Sequence, residues 1–428
     1  MAQICLWRKK TLIKLAVLFQ ENETKNMDLS APEKGNPGVG GTAFCFLLFL
    51  KYIGKKAHGH ELDITVYQLQ NNILPHDKCV KVDSLEEALN KATEDGNEIV
   101  LLRNHQTDQD YDLLQKYDFK YIFWMHNKLT YDEIKLFRTW DNCKRVIAVG
   151  RQMYDYYVDD LVIKKLDYIK NPLVPPKETM IREETYEPWV TYVGSLTFDK
   201  NFHLITKVWK DILKEVPDAQ LHVIGSGRLY DKNCKLGKYG HADEEYERLF
   251  MPHILDEEGK PLESVIFHGI MGEEKYEIFK KSAVGIINPM ATETFGLAAI
   301  EMEACGVPIV CRRKNGLLDS VKDGKTGILY KDISKLAPSI IKLLTNKRLN
   351  KKMGTAARDF ARHDFRPEGL MPAWQEVIYQ VHKNKKASYK APHRDLDNNG
   401  KMLRKLIHTI HRIPMFKNVP SIHDIQKK

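Results

Sequence analysis

The stretch from Gly285 to Val310, GIINPMATETFGLAAIEMEACGVPIV, constrains this chain more than any other. It reads as a short buried strand (Val284 to Asn288), a turn of small and polar residues, a helix beginning near Phe295, and a second buried strand (Pro308 to Cys311). A strand and turn that deliver the chain into a helix N-terminus make an anion site. The N–H groups expected to be free at Phe295, Gly296 and Leu297 point forward, the helix dipole favours negative charge there, and Gly296 lets a ligand approach closely. Two carboxylates flank the site, Glu293 ahead of the helix and Glu301 within it. Eight helical steps span roughly 12 Å, comparable with the length of a nucleotide-sugar diphosphate. Carboxylates do not suit phosphate but accept hydrogen bonds from hydroxyls. The pattern therefore suits a ligand with a diphosphate between two hydroxyl-rich rings.

Short apolar runs alternating with helical stretches recur along the chain, which indicates parallel sheets with helices on both faces. The expected strands are Leu12 to Gln20, Asp63 to Gln68, Glu98 to Leu102, Tyr121 to Met125 and Arg145 to Val149, then Trp189 to Gly194, Leu221 to Gly225 and Val265 to His268. At 428 residues the chain suits two domains rather than one core. Asn171-Pro172, Pro175, Pro176 and the acidic run from Lys177 to Glu187 read as the linker. The reading divides the chain into a first α/β domain at 1–175, a second at 176–365, a crossover helix at 366–385 and a basic tail at 386–428. The polar segment Gly227 to Ser264 is expected to be a surface insertion.

Ligands of such sheets bind beyond the carboxyl ends of the strands. GNPGVGGTAF sets Gly38, Gly40 and Gly41 between the first strand and a helix from about Thr42 to Lys55. That layout either cradles phosphate or simply needs glycine geometry. His126 follows the strand Tyr121 to Met125, and Arg103 and His105 follow Leu102, so all three stand at the same edge. Polar residues also end strands for structural reasons alone, by bonding a neighbouring carbonyl.

The spacing of Glu, seven residues and Glu within ETFGLAAIEMEACGVPIV resembles the donor signature of glycosyltransferase family 4, retaining enzymes of glycosyl transferases group 1 with the GT-B fold. The resemblance is strong in the second half of the chain and weak in the first. It implies two Rossmann-like domains facing each other across a donor-binding cleft, with no metal and no other cofactor. By the same resemblance Glu293 lies by the donor sugar, Glu301 holds the ribose hydroxyls, and Thr294, Phe295, Gly296 and Leu297 surround the phosphates. Thr294 stands where proline is commonest and is expected to cap the helix. Gly40 and Gly41 match the loop that covers the donor phosphates. VTYVGSLTFDKN resembles the family's glycine-turn-lysine element. Lys200 matches its lysine, Ser195 stands where an arginine is usual, and Arg228 in GSGRL is the candidate replacement.

The implied catalytic set is Glu293, Lys200 and His126, and the acceptor-side candidates are Arg103, His105 and His126. The implied activity moves a sugar, with retention, from a nucleoside-diphosphate sugar to a hydroxyl on a glycan or glycolipid, lipid-linked or part of a surface polysaccharide. Glycosidases that retain configuration hold two carboxylates about 5 Å apart, whereas Glu293 and Glu301 are spaced for holding a ligand. A sugar-nucleotide-binding protein without catalysis and a nucleotide-sugar epimerase are the alternatives.

Charge is concentrated at one end. The formal net charge is +9, and residues 383–428 alone carry twelve Lys and Arg against three Asp. Within KMLRKLIHTIHRIPMF, residues Met402, Leu403, Leu406, Ile407, Ile410 and Ile413 fall on one helical face, and Arg404, Lys405, His408, His411 and Arg412 mostly elsewhere. A basic amphipathic helix of this kind is expected to lie on an anionic membrane surface, or else to pack its apolar face on the first domain. No zinc-finger, RNP or helix-turn-helix pattern accompanies the charge, which argues against nucleic acid. Seven scattered cysteines without a Cys-x-x-Cys pair argue for a reducing compartment. No apolar run is long enough to span a bilayer. The expected location is the cytoplasm, with the tail able to hold the protein at the inner face of the membrane. The Asp-x-Asp triplets at Asp108 to Asp110 and Asp395 to Asp397 lack the strand-end context of a divalent-metal site.

Overall fold

The computed structural model describes residues 12–21, 24–229, 231–290, 293–388, 390–391, 400–416 and 419–427. In the first sheet, Leu12–Phe19 pairs with His60–Gln68 on one side and with Ile99–Arg103 on the other, followed by Lys120–Met125, Cys143–Ala148 and Leu166–Tyr168. Cys79–Lys81 pairs in parallel with His60–Gln68, and Lys56–Ala57 forms an antiparallel hairpin with it. The second sheet runs Val265–Gly269, Gln220–Ile224, Trp189–Val193, Ser282–Ile286, Ile309–Arg312 and Gly327–Tyr330, all parallel. With the hairpin strand set aside, both sheets follow the doubly wound order 3-2-1-4-5-6, the first extended by one strand. In each, the order reverses between the first and fourth strands. Those reversals, at Leu12–Phe19 beside Ile99–Arg103 and at Trp189–Val193 beside Ser282–Ile286, open the crevices in which such sheets hold ligands.

The central strands are apolar runs buried on both faces, as parallel strands covered by helices require. Several helices start at side-chain caps: Ser84, Thr107 and Thr130 each accept from the amide three residues on. Lys56–Ala57, Cys79–Lys81 and Leu166–Tyr168 are not expected from the sequence, because two or three residues are too few to display a periodicity. The segment expected as a surface insertion supplies the crossover helix Glu244–Phe250. Ala242, Tyr246, Phe250, Met251 and Ile254 are all buried in the second core. The expected linker is also fastened: the Arg182 guanidinium donates to Asn350 at 2.6 Å and fits against Gly354, where an added Cβ would come within 2.3 Å of it. Burial pushes this guanidinium down to about 10.

The helix Pro367–His382 returns to the first domain. Trp374 is fully buried, 5.1 Å from the Phe49 ring and 4.6 Å from Trp124. Gln375 donates to the Ile53 carbonyl at 2.7 Å, and Arg145 donates to Gln380 and to the Lys385 carbonyl.

In the tail, the helix Lys401–His411 docks on the first domain, but of the face expected to pack there only Ile407 is buried. Arg404 is fully buried and pairs with the equally buried Asp159 at 2.6 Å, Ile407 is buried beside it, and His408 bonds the Val158 carbonyl. Met402, Leu403, Leu406 and Ile413 face outward, continued by Met415 and Phe416. Arg404 takes this place because Asp159 supplies a buried counter-charge, which no apolar residue of the helix can use. The second Asp-x-Asp triplet and Asn398 and Asn399 lie outside the described residues. No helix among the described residues is long and apolar enough to cross a membrane.

The two domains touch through the second sheet's short helix Leu317–Ser320. Asp319 accepts from the Gln152 amide at 2.8 Å, at the start of the first-domain helix Arg151–Asp155. A Cβ on Gly150 would lie 2.4 Å from its Oδ2, so glycine is needed for this approach. Burial pushes Asp319 up to about 6, against the opposing effects of the Gln152 amide and of Lys322 and Lys170; Asp155 adds to the rise. A carboxyl whose folded value lies above its unfolded one favours folding fully below the unfolded value of 3.8 and loses that contribution as pH rises through about 6. Asp319→Asn should therefore remove a pH dependence of unfolding between pH 4 and 6, worth at most about 3 kcal/mol. Urea midpoints of both proteins measured across that range check this; parallel pH profiles would show that Asp319 does not titrate there.

Candidate active site

The helix that follows Glu293 and carries Glu301 is Leu297–Ala304, two residues later than expected. Gly296 is its N-cap at φ 92°, a left-handed conformation that favours glycine. Thr294 does not cap the helix, because no side chain bonds its first amides. Among the described residues the amides of Phe295, Gly296, Leu297 and Ala298 have no hydrogen-bond acceptor. They are the free donors that an anion at this helix end would meet. Phe295 points the other way and is buried in the interface, 5.6 Å from the Phe365 ring.

Each flanking acid is paired with a lysine. Glu293 Oε1 lies 2.5 Å from Lys200 Nζ, and Glu301 Oε2 lies 2.8 Å from Lys275 Nζ. The first pair is about one-fifth exposed and the second about one-tenth. The loop bearing Lys200 is clamped by two asparagines: Asn201 donates to Asn288 Oδ1 at 3.3 Å, and Asn288 donates to the Asp199 carbonyl at 3.2 Å. Glu293 is fixed from behind, since its carbonyl accepts from the Gly316 amide at 3.1 Å. Any Cβ at Gly316 would stand 2.0 Å from the Thr294 carbonyl oxygen.

Three sequence candidates fall outside this arrangement. Ser195 is buried, with its hydroxyl on Thr197 and its carbonyl accepting from Tyr192, so it builds the turn and leaves no side chain for phosphate. Arg228 is exposed and donates to the Cys234 carbonyl at 2.9 Å, which turns it onto its own loop. The His105 ring bonds the Lys128 carbonyl at 2.7 Å and its amide donates to Glu133, so it anchors a loop and is not held in the crevice.

The first domain brings its glycine loop to the same place. Gly40 caps the helix Gly41–Tyr52, and a Cβ on Gly41 would come within 2.8 Å of Leu297 Cδ1, so the two helix N-termini face each other. Space around Gly40 is open. Glu301 faces this helix too: burial, and secondarily the charge of Glu301, push the Cys45 thiol up. His126 is buried 4.8 Å from the Trp124 ring, with Nε2 unpartnered among the described residues. Burial, with a smaller effect of Arg103, pushes it down to about 3, so the ring is neutral near pH 7.

Sequence reasoning misses Lys275, Asn201 and Asn288. Lys275 sits among acids at the start of the helix Lys275–Lys281, indistinguishable in sequence from a solvated lysine. Only the fold, which lays that helix beside Leu297–Ala304, gives it Glu301. The asparagines carry a weak signal: Asn201, at φ 57°, is the type of residue that ends a turn in the left-handed region.

Removing one partner of a buried ion pair leaves a charge without compensation and costs about 3–5 kcal/mol. Lys275→Met should lower second-domain stability by that order, and Lys275→Met with Glu301→Gln should recover most of it. Chemical denaturation of the three proteins checks this; a single variant as stable as the parent would mean that the pair does not form.

Comparison with known proteins adds to this geometry. Residues 180–360 match the family of glycosyl transferases group 1. A trehalose synthase from Pyrococcus horikoshii is 22% identical over 247 residues, 53% of this chain and 56% of that protein. A GDP-mannose-dependent alpha-(1-6)-phosphatidylinositol monomannoside mannosyltransferase from Mycolicibacterium smegmatis is 25% identical over 177 residues, 41% of this chain and 43% of that protein. The chain thus spans about half the length of these curated relatives. The crystal structure of Anabaena HepE in complex with UDP and glucose superposes with a TM-score of 0.60 at 14% identity, over 86% of this chain and 100% of that one. The second domain thus matches the glycosyl transferases group 1 family, and the two facing α/β domains have the GT-B fold.

Proposed function

We propose that this chain is a retaining glycosyltransferase that moves a hexose-type sugar from a nucleoside-diphosphate sugar to a hydroxyl acceptor, without a metal. The observation that carries the reading is the pairing of Glu293 with Lys200 and of Glu301 with Lys275 on either side of free helix amides, opposite the glycine loop. A diphosphate laid across Leu297 would meet those amides and the Lys200 ammonium. Both stabilise the charge that develops as the leaving group departs. Glu301 accepts from ribose hydroxyls at one end, and Glu293 holds the transferred sugar at the other. Departure and attack then occur on one face of the sugar, and the leaving diphosphate takes the acceptor proton. Neutral His126, at the opposing edge, positions the acceptor, and the interface around Phe295 excludes water, the competing acceptor. The UDP and glucose in the HepE structure support a nucleotide-sugar donor.

A ribose contact is made equally in ground and transition states, whereas a group at the reacting sugar acts preferentially in the transition state. Glu301→Ala should thus raise KM about tenfold with little change in kcat, and Glu293→Ala should lower kcat about a hundredfold. A thermal-shift screen over nucleotide sugars selects the donor, and nucleotide release in the presence of lipid extract and EDTA then measures transfer. Equal losses in KM and kcat for both variants would undo the assignment. Donor binding without any transfer would favour a sugar-nucleotide-binding protein, and interconversion of the donor sugar an epimerase.

The acceptor is proposed to be a lipid-linked or surface-polysaccharide glycan, reached from the cytoplasmic face of a membrane. The tail helix supports this, because its outward ridge of Met402, Leu403, Leu406 and Ile413 is bordered by Lys401, Lys405 and Arg412. The helix also stands by the cleft: burial, then the charges of Arg404 and of Lys314 in the second domain, push Lys128 at the crevice edge down. Apolar side chains beside cations are what an anionic bilayer surface binds. The protein should sediment with vesicles of phosphatidylcholine and phosphatidylglycerol at low salt. Met402→Gln, Leu406→Gln and Ile413→Gln together should reduce this severalfold without changing the melting temperature. Equal sedimentation of both proteins would overturn the membrane assignment.

A further inference from the structure

The helix Leu297–Ala304 has free amides at its start, yet the carbonyls at its other end all find donors. Met302 accepts from the Val307 amide at 3.1 Å and Glu303 from the Gly306 amide at 2.8 Å, with Gly306 in the left-handed region at φ 88°. The next two are completed from outside the helix. The Cys305 carbonyl accepts from the Arg182 amide at 2.7 Å, and the Ala304 carbonyl from Arg362 Nε at 3.2 Å.

Arg362 stands near the end of the helix Lys347–Asp364 and turns its remaining nitrogens to the linker. Nη2 donates to the Pro176 carbonyl, and Nη1 pairs with Glu178. The arginine side chain is one-fifth exposed while that of Glu178 is largely in water, so the ion pair itself contributes little and the two carbonyls are the main partners. Both passages of the chain between the domains lie side by side here. The Leu173 amide donates to the Phe365 carbonyl at 2.7 Å, and Lys170 pairs with Asp364 at 2.9 Å. One guanidinium therefore joins the carbonyl end of the helix Leu297–Ala304 to the place where the chain crosses from domain to domain.

We infer that Arg362 is a positioning residue for an anion bound at the opposite, amide end of that helix. Two effects of the guanidinium act together. A cation at the carbonyl end offsets the negative pole of the helix dipole, which would otherwise diminish the attraction of the amide end for an anion. The planar fork also fixes the helix relative to the linker, and so keeps Leu297 against Gly41 of the facing glycine loop. A lysine would offer the charge without the fork. The effect on the anion rests on the proposed reading of the free amides as a diphosphate site, whereas the fastening of the helix is tested without any ligand.

Hydrogen exchange and calorimetry on the full chain test the two parts. In unliganded protein, Arg362→Ala should speed exchange of the amides from Glu301 to Val307 by about tenfold and leave the strands Trp189–Val193 and Gln220–Ile224 unchanged. Added ethylguanidinium should slow it again, because it refills the place of the lost side chain. UDP, GDP and ADP are then titrated into the same proteins. Whichever binds should lose affinity about tenfold in Arg362→Ala, in part in Arg362→Lys and hardly at all in Glu178→Gln, with most of the loss recovered by ethylguanidinium. Unchanged exchange in Arg362→Ala would overturn the fastening, and unchanged affinity would overturn its effect on the anion. A loss that neither lysine nor ethylguanidinium relieves would mark general damage to the fold and overturn the positioning role. If none of the three nucleotides binds the parent protein, the proposed donor site fails, and the exchange rates alone decide whether Arg362 holds the helix.

Discussion

Burial of Phe295 is the contact on which the two halves of the site are keyed. It lies between the two acids in sequence, yet its ring leaves the crevice and enters the apolar cluster of the first domain, with Phe365 and the back of the donor helix, Ile300 and Ala304. A side chain of this size gains its burial energy only when the domains meet. Once it is seated, the helix amides it precedes must face the glycine loop. Gly41 against Leu297 and Gly150 against Asp319 then allow an approach that any larger residue would hold apart.

The charges of the crevice follow from that closeness. Two carboxylates beside a helix N-terminus would repel a diphosphate if they stood alone. Each is instead neutralised by a lysine from another segment, so the local sum is near zero and the partial positive charge of the free amides decides the sign. The carboxylates keep acceptor capacity for hydroxyls, because a carboxylate has about four lone-pair directions and a single ammonium fills only part of them.

The tail shows how one buried pair can invert an amphipathic helix. Arg404 and Asp159 are both fully buried, and Ser421 and Asp424 of the following segment bond Arg138, which also holds Asp160. This polar seam fixes the helix to the first domain and leaves Met402, Leu403 and Leu406 on the surface, while Ile407 is buried. Buried ion pairs specify an arrangement more reliably than they stabilise it, and here the arrangement specified is an outward apolar ridge near the crevice.

Alternation of apolar runs with helical stretches, and the turn ahead of Gly296, carried the fold class, nearly every long strand and the start of the helix Leu297–Ala304 to within two residues. These are legible because buried parallel strands and glycine-led helix starts depend on local composition and spacing. Pairing depends on the fold instead. That Lys275 belongs to Glu301, that Asn201 and Asn288 clamp the Lys200 loop, that Arg228 and His105 bond backbone outside the crevice, and that Arg404 rather than leucine is buried all rest on contacts between distant segments. Hydrophobic periodicity says which face of an element avoids water; it does not say where a counter-charge waits to receive a cation. The sequence by itself therefore determined the two sheets and the helix start with its free amides, while only the tertiary structure decided which charges meet there, because electrostatic pairing is set by distance in space and not by spacing along the chain.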